Sequence, residues 1–146
     1  MVIENNGSRA SISGVRTLAL NPGIFEFDSG GLRLAAVLHL DFSVVTLANP
    51  ARPGEILLLF LTGLGPTTPP VQTNVAGPVP AAVTVTRPVV GINDEGAEVL
   101  GSFYAPNLFT AYQINFVMPR NARSGTAKLS VVADGASSQD SRIPVQ

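Results

Sequence analysis

The run Glu55-Ile56-Leu57-Leu58-Leu59-Phe60-Leu61 lies between Pro53-Gly54 and Gly63-Leu64-Gly65. A stretch this short, almost unbroken in apolar side chains and closed at both ends by turn formers, suits a strand covered on both faces better than a helix. Outward from it the same reading holds. Leu32 to Leu40 alternates, with Leu32, Leu34, Ala36, Leu38 and Leu40 on one side and Arg33, Ala35, Val37 and His39 on the other, which predicts a strand opened by Gly30-Gly31. Val83 to Ile92 is rich in β-branched residues and interrupted by Pro88. Asn93-Asp94-Glu95-Gly96 predicts a hairpin turn in which Gly96 supplies the positive φ, and Ala97 to Tyr104 returns. Ala111 to Met118 places Tyr112, Ile114, Phe116 and Met118 on one face. Ala127 to Val132 and Ser137 to Val145 form a hairpin about Ala133-Asp134-Gly135-Ala136. Thr67 to Pro80, with Pro69, Pro70, Pro78 and Pro80, cannot be a central strand because proline has no N–H, and is expected as a long extended surface loop.

Short strands at roughly ten-residue spacing predict an all-β chain built as a β-sandwich. The pattern breaks at Asn49-Pro50 and Arg52-Pro53, so residues 1–48 are expected as an N-terminal β segment, the end of a preceding domain, and residues 49–146 as the sandwich domain. The chain has 146 residues, enough to bury a core without staples, and no cysteine, which removes disulfides and thiolate chemistry. Charged residues are 13% of the chain, against about 25% in an ordinary domain, so the surface must be covered by neutral polar groups. The net charge is −1 and the arginines are scattered, which argues against nucleic acid, since phosphate binding needs clustered positive charge. The longest apolar run is too short to span a bilayer. The start, Met1 to Ala10, is polar and does not read as a signal peptide. It is read as following a removed leader or as part of a longer secreted protein.

Pro53-Gly54-Glu55 before an apolar strand and Thr62-Gly63-Leu64-Gly65-Pro66 after it resemble the opening of a TIG (IPT) immunoglobulin-like domain. Tyr112-Gln113-Ile114-Asn115-Phe116-Val117-Met118-Pro119, with Ser124-Gly125 following, resembles its late strands. Asn21-Pro22-Gly23-Ile24-Phe25, Ala48-Asn49-Pro50-Ala51 and Arg52-Pro53-Gly54, together with the two motifs just quoted, are similar to the C-terminal domain of secreted Solibacter and other acidobacterial proteins. That resemblance runs over residues 19 to 146. It implies an immunoglobulin-like (TIG-type) sandwich, an extracellular or cell-surface place, and no catalytic residues. Leu40-Asp41-Phe42-Ser43 departs from the pattern, since Phe42 stands where Asp-Gly is expected.

Candidate sites are few. His39, Asp41 and Ser43 share a strand face, but neighbours two apart lie about 7 Å from each other, too far for a nucleophile triad, and no Gly-x-Ser-x-Gly elbow occurs. Asn93, Asp94 and Glu95, with Glu98 near, offer oxygen ligands to calcium, although a hairpin turn selects the same residues without an ion. No pair of acids stands out for glycoside hydrolysis, and one histidine without cysteine gives no transition-metal set. No cofactor is implied. Phe103, Tyr104 and Phe109 flank the Ala105-Pro106-Asn107 loop and are candidates for an exposed ligand patch, with burial in the core as the competing reading. Val15, Thr17, Leu18 and Leu20 are candidates for an orphan strand that pairs with its own sheet edge or with a neighbouring molecule. The expected function is that of a non-catalytic structural, adhesion or assembly module acting through sheet edges and loops. Binding of a polysaccharide is the alternative, and a small hydrolase built on His39 the third reading.

Overall fold

Alternating side chains give strands whose apolar faces must meet one another, and the strand that meets most of the others is the leucine run. In a computed structural model, which describes residues 2–15 and 17–146, that run is β7 (Ile56–Thr62). Leu57, Leu59 and Leu61 are fully buried on one face and Leu58 on the other. β12 (Tyr112–Val117) pairs along one side of β7, from Tyr112 opposite Leu61 to Val117 opposite Ile56. Ile114 and Phe116 of β12, and Met118 after it, are fully buried, as their spacing predicts. The other side of β7 carries β3 (Gly23–Ile24) and β6 (Val37–Leu38).

The two halves of the sheet are joined by β11 (Glu95–Tyr104). Residues 95–97 pair with β10 (Val89–Ile92), while residues 98–104 pair with β12. Within the pairing to β12, between Val99 and Gly101, one residue is extra. Such a bulge bends a strand and raises its twist, which lets one strand serve two sheet directions. β13 (Gly125–Ala133) continues from β10 and is flanked by β14 (Ala136–Ser137) and β15 (Ser141–Val145). β8 (Thr67–Thr68) and β9 (Val83–Thr84) complete an eleven-stranded sheet. The sheet curls into a half-barrel, and both ends feed one core: Leu57, Leu59, Ile114 and Phe116 lie in the same cluster as Val90, Ile92, Leu129, Val131 and Ile143. Residues before Asn49 share this sheet and core through Ile24, Val37 and Val45.

The seam of the curl is held by a side chain. The amide of Gln139 donates from Nε2 to the carbonyl of Ile24 (2.6 Å) and accepts the Ile24 N–H on Oε1 (3.1 Å). It thereby acts as a one-residue strand on the free edge of β3. Near it, Ala51 covers the outer edge of β15, with its N–H on the carbonyl of Pro144 and its carbonyl receiving the N–H of Gln146. Two small antiparallel ribbons stand outside this sheet: β4 (Glu26–Ser29) with β5 (Leu32–Ala35), and β1 (Val2–Asn5) with β2 (Ser8–Ser11).

Several expectations shift in detail. The stretch Leu32 to Leu40 divides into β5 and β6 at Ala36, and its buried face switches there. Leu34 is buried before the break, Val37 and His39 after it, and Leu40 is exposed. The turn at Asn93-Asp94 has positive φ at those two residues (50° and 69°), whereas Gly96 pairs with Gly91 inside the hairpin. The proline-rich loop is closed by its own ribbon, β8 on β9. Val15, Thr17 and Leu18 are exposed and enter no strand, while Leu20 packs against the core. The β1–β2 ribbon, which the polar N-terminus hid, turns at Asn6-Gly7 with φ of 47° and 81°, the pair of left-handed residues that a two-residue hairpin needs. Among the described residues no helix is long and apolar enough to cross a membrane.

Candidate functional site

His39 sits at the mouth of a three-residue hairpin loop. The N–H of Phe42 donates to the carbonyl of His39 (3.0 Å) and the N–H of His39 to that of Ser43 (2.9 Å), which leaves Phe42 in the left-handed region at φ 65°. The buried imidazole turns away from that loop. Its Nδ1 lies 2.6 Å from Oε1 of Glu55, and its Nε2 lies 3.3 Å from the carbonyl oxygen of Asn49. Glu55 is placed by the Pro53-Gly54 turn, with φ of 81° at Gly54, and its second oxygen accepts the N–H of Arg52 at 2.8 Å. Asp41 accepts instead from Ser43, both from the N–H (2.9 Å) and from Oγ–H (2.6 Å). These two bonds, side chain first, hold its carboxyl below the usual carboxylate range. The amide of Asn49 donates to Ser43 Oγ at 3.2 Å. His39, Asp41 and Ser43 therefore separate into an imidazole–carboxylate pair with Glu55 and a serine–carboxylate pair. Both imidazole nitrogens face acceptors inside the protein, and the set ties three turns together.

Asn93, Asp94 and Glu95 are shared between two partners, Lys128 and Asn121. Asn93 Oδ1 accepts the N–H of Lys128 (2.9 Å), Asp94 pairs with the ammonium of Lys128, and Glu95 accepts from the amide of Asn121 (3.1 Å). The ion pair raises the pKa of Lys128, chiefly through its hydrogen bond to Asp94. One oxygen each of Asn93, Asp94 and Glu95 is thus directed at an N–H donor. Of the aromatic trio, Phe103 and Tyr104 are successive on β11 and so face opposite sides of the sheet. Tyr104 is buried and Phe109 is exposed on the following loop. The phenyl ring of Phe103 covers Gly101, where a Cβ would come within 2.4 Å of it. The three do not make one surface.

Tyr104 belongs to another arrangement. Its ring meets that of Tyr112 edge-on, centroids 5.2 Å apart at 66°. Tyr112 Oη donates to the carbonyl of Gly65 (2.6 Å). Tyr104 Oη accepts the N–H of Thr110 (2.7 Å) and reaches the carbonyl of Val75 at 3.4 Å. Burial, then the neighbouring Tyr104, raises the pKa of Tyr112. Beside this pair lies a cleft of about 390 Å³, walled by the 62–66 turn, the 71–74 segment of the proline-rich loop and Thr110. The turn can approach so closely because of its glycines. At Gly63 a Cβ would fall 1.9 Å from the carbonyl oxygen of Asn21, and at Gly65 it would fall 2.8 Å from that of Ala19.

No family model matches the chain. Nor does any curated protein or solved structure match it significantly.

Of the residues of the cleft, the sequence marks only Tyr104 as a candidate for ligand contact, and it does so with Phe103 and Phe109, which do not line the cleft. Tyr112 was legible only as a core position of an alternating strand, and Gln72, Thr73 and Asn74 only as polar residues between prolines. One signal was present: three consecutive uncharged polar residues inside a segment too proline-rich to form a strand.

Proposed function

We propose that the chain is a non-catalytic module of immunoglobulin-like, TIG-type architecture, extracellular or at the cell surface, that works by assembly through sheet edges and loops. The observation that carries this reading is the β1–β2 ribbon. All eight of its strand residues are exposed, and its two strands pair only with each other among the described residues. An isolated two-stranded ribbon is marginal in water, and its outer edges keep unpaired N–H and C=O groups that another strand can take up. Val2 and Ile3 add half-exposed apolar surface to it. Two edges of the main sheet are already covered, by Gln139 on β3 and by Ala51 on β15, whereas the outer edges of the β1–β2 ribbon pair with no other strand among the described residues. The engagement of His39 with Glu55 and Asn49 supports a structural role for the lone imidazole over a hydrolytic one.

Sedimentation velocity over about a hundredfold range of concentration tests the reading, since association is a mass-action equilibrium. The expected result is a mass that rises with concentration, and a rise that Ile3→Asp suppresses while the unfolding midpoint of the body stays within about 0.5 kcal/mol of the parent. A monomer at every concentration defeats self-assembly. Binding of neutral polysaccharide is the second reading, favoured by the uncharged cleft beside the tyrosine pair.

A further inference from the structure

The cleft beside Tyr104 and Tyr112 has walls with no ionisable group except those two phenols. Both phenols are engaged inside the protein, so the rings are fixed as walls and their hydroxyls are not available to a ligand. The side chains of Gln72, Thr73 and Asn74, by contrast, make no hydrogen bond to any other described residue. They stand on a turn closed by the N–H of Val75 on the carbonyl of Gln72 (3.3 Å), with Asn74 in the left-handed region at φ 62°. The segment carrying them is pinned on its C-terminal side. Tyr104 Oη reaches Val75, and Gly77 is held by Leu108 and Asn107, close enough that a Cβ on Gly77 would fall 2.0 Å from the carbonyl oxygen of Ala105. A recess lined by these amides is therefore present before any ligand arrives.

We infer that this cleft is a binding site for a short, neutral saccharide. The inference develops the second functional reading and does not depend on the first. A charged ligand would lose its hydration against walls that hold no counter-charge. An aliphatic ligand would leave the amides and threonine hydroxyls unpaired, each at the cost of its water. A hydroxyl-rich ring meets both conditions. Each sugar hydroxyl donates and accepts, as do the amides of Gln72 and Asn74 and the hydroxyls of Thr73 and Thr110. Its C–H faces suit the tyrosine wall. The adjoining groove of Pro69, Pro70, Val75 and Pro78 is uncharged too, but apolar, and extends the surface away from the polar floor.

The test is a titration of the isotope-labelled chain, followed by amide chemical shifts, with cellobiose, maltose and N,N′-diacetylchitobiose, each to about 20 mM, the range of weak single-site affinities. Glucuronic acid and a capped Gly-Pro-Gly peptide serve as comparators. The expected result is a saturable shift at Gln72, Thr73, Asn74 and Thr110 with at least one of the three disaccharides, and none with glucuronic acid. Gln72→Ala should weaken that binding about fivefold, the size of one neutral hydrogen bond, at an unchanged unfolding midpoint. Asn74→Gly, which keeps the left-handed turn, should do the same. The site is overturned if none of the disaccharides produces saturation, if the shifts map elsewhere, if the peptide binds more tightly, or if both folded variants keep the parent affinity. Retention on insoluble cellulose and chitin then separates two failures. Retention that persists in the variants leaves the polysaccharide reading standing and removes this cleft, and no retention at all removes both.

Discussion

Phe42 occupies a backbone conformation that suits glycine. At φ 65° its Cβ is crowded against the backbone, a cost of about 1–2 kcal/mol for an L-residue, and its ring is 73% exposed, so little packing offsets the strain. Replacing it by glycine loosens the unfolded chain at a cost of about 0.5–1 kcal/mol. The net expectation for Phe42→Gly is a gain of about 0.5–1 kcal/mol in urea unfolding, and a loss would show that the exposed ring makes contacts of its own. Gly63 is the opposite case. Its φ is 77° and a Cβ there would sit 1.9 Å from the carbonyl oxygen of Asn21, which is backbone and cannot swing aside. Gly63→Ala is expected to cost at least about 2 kcal/mol and to release the Asn21 N–H from Gly63, seen as lost protection of that amide in hydrogen exchange.

Among the elements, β11 decides the architecture. Read as an alternating strand it has one partner on each side, but its two ends belong to different parts of the sheet. The bulge at Val99 and Gly101 re-aims the strand between them. β13 shows the simpler case: Ala127, Leu129, Val131 and Ala133 are buried and the residues between them are not, so one face lies on the core. In β7 the alternation is absent because both faces are covered, and the continuous leucine run follows from that. The segment Gly14 to Leu20 alternates as well, yet its described residues enter no strand. Leu20 and Asn21 are instead laid against Gly63 and Gly65.

At the scale of the whole molecule, the curl of the sheet brings edges together that are far apart in the chain, and Gln139 bridges one such pair across 115 residues. Its two hydrogen bonds satisfy the N–H and C=O of Ile24, a residue only 4% exposed, so no solvent replaces them freely. Gln139→Ala is expected to lower stability by about 1–3 kcal/mol, measured as a shift of the denaturant midpoint with little change in slope. An unchanged midpoint would mean that the seam carries no strain-free load and that the core alone holds the curl. The core itself joins both halves, which favours a single cooperative transition in that experiment.

The residues alone determined that the chain is all β, because side chains with a period of two can bury one face only as strands, and because proline and glycine mark where those strands stop. They also determined the Asp134-Gly135 turn, with φ of 46° and 78°, and the buried set Ile114, Phe116 and Met118, since both are consequences of local backbone and spacing. The tertiary structure alone decided the partner of His39, the divergence of Asn93, Asp94 and Glu95, the pairing of Tyr104 with Tyr112, and the Gln139 seam. The physical reason is common to these four. Each depends on which strands and turns lie side by side and in what register, and the alternation along any one strand fixes neither its neighbour nor the register.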